Sequence, residues 1–420
     1  MLDAKFIRDN QDLVRKAARD KGVEFDVDRV VELAEAVRAA QVRVDEHNRL
    51  RRELSNQFRG ADEAGRAELR RRSAENDAAL KASRAELDEL RRALDDLLLL
   101  APNLPWEGAP VGPGEEDNVV IRTWGEPPDH PFEPKDHVEL LETRSWAYFE
   151  PARRAAGDRA YALRGDAVLL ERAMHSLAID LLTERGFELV TVPALVQREA
   201  LVGTGFLPGH GEEIYFLERD GAYLAGTAEV GLVGMASGEI FDVRALPIRF
   251  AGISPCFRRE VGSASRDVRG LLRVHQFEKV EQFVICEADP DESARWHGRL
   301  LDSAETILQL LELPYQVVET STGDMGLGKF RMNDINTWFP SLGTYRETHS
   351  CSTLHDWQAR RANIRYRDAE GTVRFAHTLN NTAVATPRLL AAFVENHQQA
   401  DGSVELPVAI RPYLGGRERL

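Results

Sequence analysis

Between residues 255 and 281 the sequence gathers more cations than a hairpin needs: Arg258, Arg259, Arg266, Arg269 and Arg273, with Glu260 among them and Glu281 at the far end. Guanidinium forks match phosphate and carboxylate oxygens in pairs, so arginines leaving a strand end beside a carboxylate describe an anion site with a polar selector. The plain alternative is a solvated basic hairpin. Three more polar clusters accompany the stretch: Gly226-Thr227-Ala228-Glu229, Arg346-Glu347-Thr348-His349-Ser350, and the run from His377 to Arg388. Arg388 follows Pro387, a good first-turn residue, and so sits at a helix start, where backbone N–H groups already attract anions. Taken together, Glu229, Glu281 and Glu347 offer carboxylates for an amine, a hydroxyl or a metal. Arg258 and Arg388 offer charge for a triphosphate.

These groups need elements to hold them. Residues 248–257 read as a mostly apolar strand. After Leu272, the residues Val274, Gln276, Val280 and Val284 share one face and Phe277, Glu281, Phe283 and Ile285 the other, so the cationic stretch is strand, loop, strand. A helix is expected over 167–185, then a strand over 186–193 ended by Pro193, with short strands and loops up to the central hairpin. A helix over 291–311, strands near 315–319 and 362–366 and a closing helix over 386–399 complete an α+β body.

Upstream, the pattern is different. Val30, Leu33, Val37, Ala40, Val44, His47, Arg51, Leu54 and Phe58 follow a heptad seam; Arg59-Gly60-Ala61-Asp62 breaks it; and Leu69, Ser73, Asn76, Leu80, Ser83, Leu87, Leu90, Leu94 and Leu97 hold a second. Two such helices joined by a tight turn fold back as an antiparallel hairpin, each arm about 40–45 Å long at 1.5 Å per residue. Residues 49–72 carry eight arginines against four acids, Glu53, Asp62, Glu63 and Glu68. That excess reads as a solvated coiled coil or as a probe for a phosphate backbone. The Pro- and Gly-rich stretch from Ala101 closes this domain, giving 1–104 and 105–420.

Composition narrows the class. A net charge of -15 argues against indiscriminate nucleic-acid binding but leaves room for a local basic patch. Cys256, Cys286 and Cys351 lie far apart, so neither a disulfide framework nor a zinc site is expected. No apolar run reaches membrane-span length and Met1-Leu2-Asp3-Ala4-Lys5 opens no signal core, so a cytoplasmic protein without a membrane partner is the expectation.

The helical hairpin, the Pro-rich linker, the Phe257-Arg258-Arg259-Glu260 hairpin with Val274-His275-Gln276-Phe277-Glu278-Lys279-Val280-Glu281, and the terminal Arg388 helix together resemble the bacterial-type seryl-tRNA synthetases of class II. The central hairpin is similar to motif 2 of the class, residues 186–193 to the end of the dimer-forming motif 1, and residues 383–388 to motif 3. The resemblance implies an antiparallel sheet flanked by helices, a tRNA-binding coiled-coil arm, a homodimer, and the conversion of L-serine and ATP to seryl-adenylate and then to charged tRNA-Ser. It implies that Arg258 holds the α-phosphate and the serine carboxylate, and that Glu260 meets the adenine. Arg259, Val274, Thr348 and His349 would complete the ATP site. Thr227, Ala228 and Glu229 would hold the serine amine, Glu281 and Thr382 would read its hydroxyl, Glu347 and Ser350 would bind Mg2+, and Arg388 the γ-phosphate. His349 stands where Ser or Thr is usual, Arg259 where Ser is common, and Asn381 where the family has glycine. Those departures leave open a specialised paralogue in a biosynthetic or resistance pathway. An amino acid:carrier-protein ligase would share the core but lack the arm.

Overall fold

The computed structural model describes residues 1–261 and 270–420. Arg266 and Arg269, counted above in the cationic loop, lie outside the described residues. The chain divides into two compact units, Met1–Pro102 and Asn103–Leu420.

The first unit is helical: α1 (Ala4–Asp9), α2 (Gln11–Asp20), α3 (Val27–Phe58) and α4 (Glu63–Leu98). Both long helices begin at an aspartate cap. Asp26 accepts from the Arg29 amide and Asp62 from the Gly65 amide, each satisfying an amide that the first turn leaves without a partner. The seam is the expected one in these apolar positions: Val30 and Leu33 pack with Leu94, Ala40 and Val44 with Leu80 and Leu87, and Leu54 is buried nearer the turn. Arg51 is a correction, since it is exposed and pairs with Asp77 across the arm at 3.4 Å. One polar pair stays inside: His47 Nδ1 lies 2.9 Å from Asn76 Oδ1, while Asn76 Nδ2 donates to the His47 carbonyl at 3.0 Å. A buried polar pair of this kind fixes the register of two helices. At the base, Ile7 and Val14 pack on Val27, Val30, Leu94 and Leu98.

The second unit is built on eight strands: β1 (Val119–Trp124), β2 (Glu188–Thr191), β3 (Ile248–Phe257), β4 (Gln276–Cys286), β5 (Tyr315–Glu319), β6 (Arg331–Phe339), β7 (Thr344–His355) and β8 (His377–Thr386). Their order across the sheet is β1-β5-β6-β7-β8-β4-β3-β2, antiparallel except for the β2–β3 pair at one edge. Five helices bear on the sheet and site: α5 (Asp166–Glu184), α6 (Ala228–Ala236), α7 (Pro290–Leu310), α8 (Asp356–Ala362) and α9 (Arg388–Asn396). The large apolar core lies between the sheet and α5, α7 and α9.

Several of these elements differ from what the pattern predicts. Strands β6, β7 and β8 are buried yet carry Asn333, Thr337, Thr353, Asn380, Asn381 and Thr382, which break the apolar run that marks a central strand. Helix α6 stands where a loop was expected, and the strand placed at 362–366 begins only at Arg365, after α8. α6 contains Gly231 and Gly234, poor helix formers. A Cβ at Gly231 would stand 2.9 Å from Val192 and one at Gly234 3.0 Å from Ala200, so packing space overrides propensity there. No described helix is long and apolar enough to cross a membrane.

Candidate active site

The two faces of β4 serve different purposes. Glu281 pairs in register with Thr382 of β8, and Gln282 with Asn381. Gln282 and Asn381 both donate to the Leu300 carbonyl of α7, at 3.2 and 2.9 Å, so their face is tied to the helix layer. The opposite face is covered by α6 and α8 as far as Phe283 and Ile285. Beyond that cover Glu281 is still buried, and the face opens at Lys279 and Phe277, where the cleft begins.

Arg258, Glu260, Val274, Phe277, Lys279, Glu347, Thr348, Thr382 and Arg388 line that one cleft. Arg258 leaves the end of β3, with its Nε donating to the Gly226 carbonyl at 3.2 Å and its guanidinium 5.2 Å from the Phe277 ring centre. Gly226 allows this approach, because a Cβ there would stand 3.3 Å from the Phe257 carbonyl and 3.4 Å from the Arg258 chain. Glu260 adopts φ +53, a conformation that non-glycine residues take at a cost. Arg273 Nη1 holds its carboxylate at 2.9 Å and Arg159 Nη1 its carbonyl at 3.3 Å. Arg388, first residue of α9, donates from Nη1 to the Glu347 carbonyl at 2.7 Å and from Nε to the Leu272 carbonyl at 3.2 Å.

Deeper in, the polar groups hold one another. Thr227 caps α6, accepting from the Glu229 amide at 3.3 Å, and its Oγ1 donates to Glu281 Oε2 at 3.4 Å. Glu229 accepts from Gln358 Nε2 at 2.8 Å, and Thr378 Oγ1 donates to Gln358 Oε1 at 2.8 Å. Burial, reinforced by the neighbouring Glu229 charge, pushes the Glu281 pKa up, against the pull of Lys279. Lys279 forms a buried ion pair with Glu281. Asp334 of β6 also points to this side; burial and then the Glu347 charge raise its pKa well above the carboxylate range.

Three expected site residues are placed elsewhere. His349 is buried, with Nδ1 2.8 Å from Thr348 Oγ1 and Nε2 3.1 Å from the Ala383 carbonyl, and it is absent from the cleft lining. The cause is a bulge opposite Ile335 and Asn336, which skips Thr348 in the pairing of β6 with β7 and turns the imidazole into the core. Ala228 is fully buried in the core under Gly252. Arg259 is exposed, does not line the cleft, and is anchored by its amide to the Glu213 carbonyl at 3.0 Å. Ser350 lies on the strand that carries Glu347 and Thr348 to the cleft, on the same face as Glu347, paired with Asp334 of β6 and hydrogen-bonded to its side chain.

A family model described as the seryl-tRNA synthetase N-terminal domain matches residues 1–105, and one described as the class II tRNA synthetase core domain (G, H, P, S and T) matches residues 215–397. A serine–tRNA ligase of Deinococcus radiodurans is 51% identical over 420 residues, spanning 100% of this chain and 99% of that protein. The chain belongs to the seryl-tRNA synthetase family. A serine–tRNA ligase of Methanocella arvoryzae is 41% identical over 428 residues, covering 100% of both chains. The crystal structure of seryl-tRNA synthetase from Pyrococcus horikoshii complexed with ATP superposes with a TM-score of 0.91 at 36% identity, covering 100% of this chain and 99% of that one.

Within this seryl-tRNA synthetase fold, two polar residues of the open face carry no clear mark in the sequence. Asn380, on the same face of β8 as Thr382, has a buried Nδ2 with no hydrogen-bond partner among the described residues. Lys279 sits two residues before Glu281, and strand alternation alone places them on one face; a lysine in a strand ordinarily reads as surface.

Proposed function

We propose that this protein activates L-serine with ATP and transfers the seryl group to the 3′ end of tRNA-Ser. The observation that carries it is the convergence of Arg258, just past the end of β3, and Arg388, at the start of α9, on one cleft, with the buried carboxylate Glu281 ion-paired to Lys279 of its lining. Attack by the serine carboxylate on the α-phosphorus needs positioning and charge neutralisation more than a base, because the nucleophile is already ionised. Arg258 is suited to bridge the serine carboxylate and α-phosphate. Glu260, fixed by Arg273, faces the adenine with Val274 and Phe277, and Arg388 takes the γ-phosphate. Thr227, Glu229 and Glu281 receive the amine, while Glu281, Thr382 and Asn380 read the hydroxyl. An unpaired buried Nδ2 penalises any substrate without a polar side chain, the kind of arrangement that rejects analogues by roughly 10⁴.

Mg2+ fits Glu347 and Ser350: the Asp334 Oδ1 beside them is buried without a hydrogen-bond partner among the described residues, and repulsion between Asp334 and Glu347 is what a divalent cation relieves. When bound, it would supply positive charge to the triphosphate. We assign residues 1–104 to tRNA binding and 105–420 to catalysis, with tRNA contacts made by the arginines of the arm in the cytoplasm. A homodimer is supported by the short edge strand β2, whose Leu189 is 43% exposed.

ATP–pyrophosphate exchange measured with serine, threonine, alanine and cysteine tests this directly. Serine should support exchange far above the other three; equal exchange with threonine or alanine, or none with serine, would overturn it.

A further inference from the structure

Lys279 is 8% exposed and Glu281 2%, side by side on the open face of β4. The Lys279 ammonium contacts Glu281 Oε2 and lies 3.4 Å from Thr227 Oγ1, which is itself 3.4 Å from the same carboxylate oxygen. A carboxylate and a hydroxyl in this arrangement are what a substrate ammonium seeks. Here that place is already held by an ammonium of the protein's own.

Three facts make the arrangement more than a structural ion pair. Glu281 is held by Lys279 and Thr227, so removing the lysine leaves a buried carboxylate whose ionisation burial already disfavours. Lys279 also lines the cleft that Arg258 and Arg388 face, so a rotation of its flexible stem carries the charge from Glu281 toward the anion side without backbone movement. Finally, a second ammonium entering the Thr227–Glu281 corner repels the first, since like charges at a few ångströms cannot share one carboxylate oxygen.

We propose that Lys279 is a displaceable stand-in for the substrate ammonium: serine's amine evicts it from Glu281 and Thr227, and the freed charge is delivered to the reacting carboxylate and phosphate oxygens. The inference rests on the serine-activating function proposed above. It couples the two halves of the site, because the cation reaches the phosphates only when an amino acid is in place. Adenylate formation is thereby tied to a filled amine subsite, and ATP alone meets a cleft with one positive charge fewer.

Two substitutions in the full-length protein separate the steps. Lys279→Arg keeps the buried charge and the fold but forks onto Glu281, resisting eviction. The KM for serine in pyrophosphate exchange should rise about tenfold, the order of one charge-assisted hydrogen bond, while the KM for ATP stays put. Lys279→Met removes the delivered charge. Serine affinity by calorimetry without ATP should be no weaker than in the parent protein, while kcat for exchange falls about 100-fold, as on losing one preorganised donor to the reacting oxygens. An unchanged serine KM in Lys279→Arg overturns the displacement. Lys279→Met exchange within about threefold of the parent, or serine affinity lost in parallel with kcat, overturns the delivery. If Lys279→Met fails to fold, Lys279→Arg alone decides the displacement on which the delivery depends. Absence of serine-dependent exchange in the parent protein would instead strike the function itself, whereas an active parent with indifferent variants strikes only the role of Lys279.

Discussion

At the scale of single residues, the groups that announce chemistry by charge and position were legible, and those that act from inside a strand were not. Arg258, Glu260, Glu347, Thr382 and Arg388 line one cleft, and Glu281 is buried against Lys279 of that lining. His349 was misplaced because side-chain alternation in β7 is interrupted by a bulge, which no spacing rule reveals in advance. Its burial pushes the imidazole pKa down to about 4. The imidazole therefore fills the core between β7 and β8 rather than the triphosphate site. His349→Asn should leave the KM values for ATP and serine within about twofold and lower the melting temperature, consistent with losing one buried hydrogen bond of about 1 kcal/mol; a changed ATP KM with an unchanged melting temperature would return the ring to the site. Glu281→Ala should abolish serine-dependent exchange, or raise the serine KM by at least about 100-fold, while ATP binding by calorimetry survives. Unaltered serine kinetics would make that carboxylate structural.

At the scale of elements, periodicity decided what was readable. The arm helices α3 and α4 were plain because neither strands nor loops sustain a heptad repeat over many turns. Strands β6 and β8 were opaque because polar side chains held inside the fold interrupt their apolar runs: Asn333 is bound by His297 and the Val318 carbonyl, and Asn381 Nδ2 donates to α7. Helix α6 was hidden by its glycines. In the arm, Arg66 and Arg70 both stack on Phe58 next to the turn, at 5.8 and 5.7 Å from its ring centre, whereas Arg71 is shared between Glu68 and Glu75. Arg66→Ala with Arg70→Ala should weaken tRNA binding and reduce the salt slope by about 2, measured by filter binding at several salt concentrations. The same change at Arg71 should matter less. Removing Ala40 to Leu87 and joining Ala39 to Asp88 through a short turn keeps the apolar base of the first unit. That protein should lose aminoacylation and retain serine-dependent exchange; equal loss of both would end the division of labour between arm and body.

At the scale of the whole molecule, the balance of buried histidines sets the response to acid. His175, His297, His349, His355, His377 and His397 are each pushed down to about 4, burial being the first cause throughout. The unfolded chain takes up protons on these rings near pH 6.5 and the folded protein only near 4, so stability is full above about 6.5 and is lost as pH falls from there toward 4. Melting should move down by several degrees between pH 7.5 and pH 5.5 in calorimetry, and an unchanged or higher melting temperature at pH 5.5 would contradict the neutral, buried state of these rings. The polar lock inside the arm has a consequence of another kind. Because the His47–Asn76 pair meets at one level of a seam that repeats every seven residues, a single insertion in one helix would turn Asn76 out of line and shear every apolar layer beyond it. Growth or shrinkage of such a hairpin is tolerated only as matched sevens, one in each strand of the pair. Evolution can therefore alter the reach of this arm in steps of roughly 10 Å, and hardly otherwise.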